Sequence, residues 1–416
     1  MTARFVATVG TTPASDNAVS LYLIGVFLIC FLGNVSSGLV STIASVYLPI
    51  ISSEMSGVGA ESQAGVSTYI NALYLIGWAS GGLLWGMISD RIGRARALSL
   101  CLAAVGILTL SVSFATTWWM VVSLRLAGGL AVGGILVITM TFLSEIWPRS
   151  SRSMIMGIAS IGFPVGIFSS GLINTLVSDW REAFWIGAVP IVLTLTVMTF
   201  VRESSAWISA RDRVRVAPKN ESFFQIPGLV HGAVVCGTML IVLWSIFSWM
   251  PTWVQSILVS GDGQRERGMV MMLLGVGGVV GGACSGWIAK AIGERKTMLI
   301  CFSGAFCMAF ILFGVIREFS TVVYLATAVL SFFFGMSQGL LSFYIPQFFE
   351  VHVRASATGF CFNAGRLVTA FAVFALGMLV TFFGGYGNSL LFFSGLLVPG
   401  FLFVLISKPY QPKTQS

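Results

Sequence analysis

The 416-residue chain is 56% hydrophobic and 9% charged, with a formal net charge of +8 and a mean hydropathy of +0.92. Soluble globular domains carry roughly a quarter charged residues, so this composition excludes them and marks a polytopic membrane protein. The positive charge does not mark a nucleic-acid binder, because it gathers on one side of the apolar stretches.

The polar stretch 1–19 lacks the basic start, short apolar core and cleavage site of a secretory signal, so the first apolar span is expected to be retained. About twelve stretches reach the ~20 apolar residues that cross a hydrocarbon core. They are placed at 21–50, 66–89, 97–115, 118–146, 154–177, 182–201, 228–258, 268–289, 297–316, 320–348, 356–382 and 386–407. With the N-terminus inside, seventeen basic residues from Arg4 to Lys413 fall on the inner side, and only Arg181, Arg265, Arg267 and Arg317 on the outer. That asymmetry predicts both termini in the cytoplasm.

Span 1 contributes Asn34 and Ser37 at mid-depth, and span 2 contributes Tyr69 and Asn71; each could bond to or stack on a ligand. Span 2 runs out through Gly81-Gly82-Leu83-Leu84-Trp85-Gly86 to Asp90, Arg91 and Arg94. Span 4 holds Arg125 about seven residues from its outer edge, roughly 10 Å deep at 1.5 Å per residue. It ends in Glu145, with Arg149 and Arg152 following. The polar run between Arg202 and Pro227 splits the spans six and six. It predicts three units: an N-terminal six-helix bundle over 1–201, a cytoplasmic linker over 202–227 and a C-terminal bundle with a short tail over 228–416.

The second half repeats the first. Gly281, Gly282, Gly286, Ile288, Ile292 and Gly293 answer Gly81, Gly82, Gly86, Ile88, Ile92 and Gly93, and Pro251 answers Pro49. Gln347, Glu350, Arg354 and Gly359 follow Glu145, Pro148, Arg152 and Gly157 at an offset of 202. Spans 1, 2, 4 and 5 thus correspond to spans 7, 8, 10 and 11, the pattern of a duplicated carrier that rocks about a central cavity. Small residues at helical spacing, such as Gly82/Gly86 and Gly278/Gly282/Gly286, are expected to let helices pack closely in lipid. Trp118, Trp119, Trp249 and Trp253 lie near outer span ends and read as an interfacial aromatic belt. The seven cysteines all fall within spans and read as small apolar residues.

These motifs resemble the major facilitator superfamily over nearly the whole chain. Gly86 to Arg96 is similar to its signature loop between spans 2 and 3. Arg125 with Gly128, Gly129, Gly133 and Gly134 is similar to its span-4 motif, and Tyr344 to Glu350 with Arg354, Gly359 and Gly365-Arg366 to the span-11 region of its metabolite and organic-ion branches. Arg202-Glu203-Ser204-Ser205-Ala206-Trp207 echoes a motif after span 6 of sugar porters. The resemblance implies an all-α membrane protein of 12 transmembrane helices in two pseudo-symmetric six-helix bundles. It also implies proton-coupled uptake through a bacterial inner membrane. The chain departs from the pattern at Lys290 and Gln347, where the family carries acids, and in span 1, where no acid stands between Asp16 and Glu54.

An ionisable group deep in a bilayer costs about 2.5–3.5 kcal/mol on insertion scales, so one that persists has a pathway or a partner. Arg366 lies near the midplane of span 11. With no buried carboxylate nearby, it points to an organic anion, since a guanidinium fork suits a carboxylate bidentately. The expected substrate contacts are Arg366 and Arg125, supported by Asn34, Ser37, Tyr69, Asn71, Trp244, Gln338, Tyr344 and Asn363. Arg125 has a structural alternative, bonding to backbone carbonyls of a neighbouring helix. The expected gating residues are Asp90, Arg91, Arg94, Glu145, Arg149, Arg152 and Arg354, a latch of weak exposed pairs at the inner helix ends.

The glycine run 275–282 has neither strand nor basic residue beside it, so no nucleotide loop and no cofactor is expected. His231 and His352 stand far apart, with no convergent nucleophile or metal cluster, which excludes an enzyme. The partners expected are a small organic anion, a coupling proton and lipid, with the chain acting as a monomer. Two alternatives stay open: an exporter of amphipathic compounds, suggested by 33 phenylalanines and 17 methionines, and a membrane sensor that binds without transporting.

Overall fold

Hydrocarbon offers no partner to a backbone N–H or C=O, so a chain this apolar crosses a membrane as self-satisfied helices or as a closed barrel. The computed structural model describes residues 21–55, 63–148, 150–211, 228–259, 261–349 and 354–406, which are helical with short connections. Twelve of these helices are long and apolar enough to span a membrane. The first half comprises α1 (Leu21–Met55), α2 (Gln63–Ile92), α3 (Arg94–Val112), α4 (Trp118–Ile146), α5 (Arg152–Leu176) and α6 (Trp180–Phe200). The second comprises α7 (Leu229–Ser256), α8 (Gln264–Ile292), α9 (Glu294–Val315), α10 (Thr321–Tyr344), α11 (Arg354–Leu379) and α12 (Tyr386–Ile406). The linker expected over 202–227 lies outside the described residues from 212 onward; before that, Ser205–Arg211 forms a short helix.

The duplication is visible in the packing. A Cβ added at Gly77 or Gly81 of α2 would collide with the carbonyl oxygens of Leu126 and Leu130 on α4. One at Gly277 or Gly281 of α8 would collide with those of Ala328 and Phe332 on α10, the corresponding residues 202 positions on. These glycines let backbones touch, which matters because apolar burial does not drive helix association in lipid. The turns that follow match as well: Gly93 and Gly293 have φ of 104° and 91°, a region that L side chains rarely adopt, so each half reverses direction on a glycine.

The halves meet along α2 with α11, α5 with α8, and α1 with α7. Their contacts mark one end as closed. Here Asn71 Nδ2 donates to the Ser248 carbonyl at 3.1 Å, the rings of Tyr69 and Phe374 lie 5.8 Å apart, and Gln264 Nε2 donates to the Asn174 carbonyl at 2.7 Å. At the other end, rich in arginine, the bonds described below run within each half.

Two expectations about this closed end are corrected. Trp249 and Trp253 are fully buried rather than belted at the lipid interface. Helix α7 is enclosed by α1, α8, α11 and α12, so Trp249 stacks on Tyr386 at 5.5 Å and Trp253 meets Phe313 edge-on at 4.9 Å. Trp119 does stay exposed, stacked on Trp118 at 3.8 Å. Arg267, counted among outer flanking charges, is 1% exposed. Helix α8 starts one turn earlier than its hydropathy suggests and draws Arg267 inside, where Nη1 donates to Gln255 Oε1 and to the Asp262 carbonyl.

Candidate functional site

Helix α11 is held against α2 and α7, and Arg366 stands at its middle, roughly 18 Å from either end at 1.5 Å per residue. Its guanidinium carbon lies 5.8 Å from the ring centroid of Trp78 on α2. That distance is within cation–π range. Trp78 is itself mid-helix and packed on both sides: Phe163 of α5 stacks on it at 5.6 Å with planes 19° apart, and Trp244 of α7 meets it edge-on at 4.5 Å. Phe163 and Trp244 close the triangle at 5.9 Å. Trp244 leads on to Phe247 at 5.9 Å and Phe247 to Phe334 of α10 at 6.1 Å. The cluster therefore draws rings from both halves at one depth and sets a single cation beside them.

Polar atoms around it lack partners. Asn363, one turn before Arg366, spends its Nδ2 on the Gly359 carbonyl at 2.9 Å and leaves Oδ1 buried without a hydrogen bond. That oxygen lies 3.6 Å from where a Gly82 Cβ would stand, one turn along α2 from Trp78. Trp78 Nε1 and Gln338 Nε2, the latter one turn on from Phe334, are likewise buried and unpaired. Each such orphan costs about 1–3 kcal/mol, a cost that a polar ligand entering the cluster would remove. The three ion pairs among the described residues, Arg94 with Asp90, Arg94 with Glu145 and Arg181 with Glu54, leave Arg366 out. The site has a donor fork, stacking faces and no anion of its own.

The other expected contacts are placed elsewhere. Arg125 donates from Nη1 to the Val40 carbonyl at 2.7 Å and from Nη2 to that of Ser41 at 3.2 Å, and lies 3.8 Å over the Tyr74 ring. This ties α4 to α1, as in the structural alternative. Asn34 donates to the Ala159 carbonyl at 3.1 Å and accepts from Thr139 at 2.9 Å, inside the first half. Ser37 donates to its own helix at Gly33. Tyr69 stacks on Trp118 and meets Phe374 at a tilt, Asn71 bridges the halves to Ser248, and Tyr344 is buried edge-on to Phe348. His231 lies in the first turn of α7, its ring 5.1 Å from Phe348 and 5.3 Å from Phe403.

The structure thus gathers Arg366, Asn363 and Trp244 of the residues singled out, adds Trp78, Phe163 and Phe247, and leaves Gln338 one turn beyond Phe334 at the far end of the ring chain. The available signal was a tryptophan at mid-span, away from the interfaces these rings favour.

At the arginine-rich end, Arg94 Nη1 pairs with Asp90 Oδ1 at 2.7 Å and its Nη2 with Glu145 Oε1 at 3.1 Å. Gly93 turns the backbone so that the N–H groups of Arg94 and Ala95 both reach the Glu203 carboxylate, Arg94 at 2.7 Å. A carboxylate there also meets the positive end of the α3 dipole. Trp207 Nε1 donates to the Asp90 carbonyl at 2.9 Å, and Arg152 donates to the Trp147 carbonyl that ends α4. Arg91 is exposed at the end of α2. Arg149 and the Arg354 side chain lie outside the described residues. In the second half Glu294 follows Gly293 as Arg94 follows Gly93, and Gln347 stands where Glu145 does. Gln347 Nε2 donates to Glu294 Oε2, so the contact between these two positions is kept in both halves, with the acid moved to the other partner. Sequence reasoning missed Glu203 as a member of this cluster, although the echo after span 6 contains it.

Comparison with known proteins agrees with this fold. The family model described as Major Facilitator Superfamily matches residues 30–373. The cis,cis-muconate transport protein of Acinetobacter baylyi is 25% identical over 75% of this chain and 78% of its own length. The 4-hydroxybenzoate transporter of Pseudomonas putida is 25% identical over 85% of each chain. Among solved structures, the xylose transporter of Escherichia coli in a partially occluded inward open conformation superposes with a TM-score of 0.78 at 17% identity. It covers 95% of this chain and 100% of that one.

Proposed function

As this chain belongs to the Major Facilitator Superfamily, we propose that its cargo is a small organic carboxylate with a flat aromatic or conjugated body, taken up across the plasma membrane and held at Arg366. It is a multi-pass secondary transporter of 12 spans, not an enzyme. One observation carries the choice of cargo: a mid-membrane guanidinium without a protein carboxylate, set beside the Trp78–Phe163–Trp244 triangle. A carboxylate answers the guanidinium with charge-assisted hydrogen bonds, and a ring finds offset or edge-on partners among the indoles. The distant relatives named for muconate and 4-hydroxybenzoate support the same class.

From its basic flanks we read the arginine-rich end as cytoplasmic, the side on which the positive-inside rule also sets the termini. On that orientation the closed end is the outer one, and the Arg366 site would exchange its cargo with the cytoplasmic side. Transport reverses this by rocking one half on the other, and the Arg94–Asp90–Glu145–Glu203 cluster holds the inner ends of the first half together as a unit. An exporter of amphipathic cations would share the rings but would be repelled by Arg366. The resemblance puts proton-coupled uptake first among driving modes, and the described interior holds no carboxylate to carry that proton.

Thermal-shift measurement on the purified chain tests the cargo. A ligand that binds only the folded state raises its apparent stability. Benzoate, 4-hydroxybenzoate and muconate are expected to raise the melting temperature, and their neutral amides and lipophilic cations are not. Equal shifts from amide and acid would overturn the reading.

A further inference from the structure

The coupling of transport follows from where acids are missing. Of fifteen Asp and Glu residues, the ten in the described residues all lie within three residues of a helix end. The other five, Asp16, Glu61, Asp212, Glu221 and Glu350, fall outside the described residues and outside the predicted spans. Among the described residues, therefore, no carboxylate stands at mid-membrane to take a proton, or to lean against Arg366 when the site is empty. Among the described residues, the titratable side chain that interacts electrostatically with Arg366 is Cys236, a thiol buried in α7. His231 stands in the first turn of α7, more than three turns from the middle of that helix.

A carrier must pass through a state closed at both ends on every crossing. Loaded, the site passes with the guanidinium neutralised by the bound anion. Empty, it would pass with a bare guanidinium cut off from water and no internal counter-charge to replace the lost hydration, which is unfavourable. We propose that this chain is an anion exchanger: each inward passage of one carboxylate is followed by outward passage of another, with no proton in the cycle. For a monovalent carboxylate such as 4-hydroxybenzoate the charges balance one for one at Arg366, and no side chain changes protonation. The inference rests on the carboxylate reading above and adds its mode of coupling.

The test uses the full-length chain in liposomes filled with zwitterionic buffer, the membrane potential clamped with potassium and valinomycin, and labelled 4-hydroxybenzoate outside. Vesicles preloaded with unlabelled 4-hydroxybenzoate are expected to take up label at least tenfold faster than unloaded ones. An inside-alkaline pH gradient is expected to change the initial rate less than twofold. Accumulation in unloaded vesicles that needs the pH gradient and collapses with a protonophore would overturn exchange and leave the carboxylate reading standing. Label that moves equally in loaded and unloaded vesicles without a gradient would also overturn it. A preparation showing no thermal shift and no flux with any carboxylate contradicts the carboxylate reading itself, and exchange with it.

Discussion

At the scale of single residues, the proposed function rests on one cation and the rings beside it. A hydrogen bond to a charged group contributes about 1.5–3 kcal/mol, so Arg366→Gln is expected to weaken carboxylate binding by roughly tenfold or more while the protein still inserts. Calorimetric titration of detergent-solubilised variants reads this directly. The indoles set a different quantity. Aromatic pairs contribute about 0.5–1.5 kcal/mol beyond burial, so Trp244→Leu is expected to lower the preference for benzoate over an aliphatic carboxylate of similar size by a few-fold, with Arg366 untouched. An unchanged ratio in competition binding would remove Trp244 from the site. Arg366 was legible in the sequence because a charge in an apolar run stands out. Its surroundings were not. Trp78, Phe163 and Trp244 come from three helices and meet only after folding, and nothing local told Trp244 from Trp249, which is buried against Tyr386 instead.

Among the helices, the two glycine ridges and the capped turn into α3 do most of the positioning. Gly81→Leu and Gly281→Leu each push a side chain into a carbonyl of the facing helix, and overpacking of this kind costs about 1–3 kcal/mol. Both are expected to lower the melting temperature, to similar extents, because the two contacts are quasi-equivalent. A neutral result at either one would show that the halves do not pack alike there. Glu203→Ala removes the acceptor for the Arg94 and Ala95 N–H groups. The expected loss is about 1 kcal/mol, as for other helix N-terminal acceptors, read as a lower melting temperature that Glu203→Gln partly restores. The glycines were readable because their repeat is local and periodic. Glu203 was not, since its partners lie 108 and 109 positions away and no spacing rule links a loop after α6 to the start of α3.

For the whole molecule, twelve spans and their twofold repeat could be read from hydropathy and glycines alone, and the bounds moved by a few residues. The state of the carrier could not, because closure is a relation between halves. A Cβ at Gly377 of α11 would sit 2.9 Å from the Thr68 Cβ of α2, closer than the ~3.5–4.5 Å of a disulfide, so cysteines at these two positions can be bridged at the closed end once the helices give by under about 1 Å. Oxidation of the Thr68→Cys, Gly377→Cys chain is expected to stop transport and reduction to restore it, because the closed end must open in each cycle. Transport that continued with the bridge formed would mean that the halves do not rock apart there.

Anion recognition by Arg366 is tested most directly by measuring the affinity of 4-hydroxybenzoate and of its neutral amide for the wild-type chain and for Arg366→Gln. The account expects the wild type to prefer the acid at least tenfold and the variant to prefer neither. Equal affinities in the wild type, or a preference for the acid that survives in the variant, would contradict it.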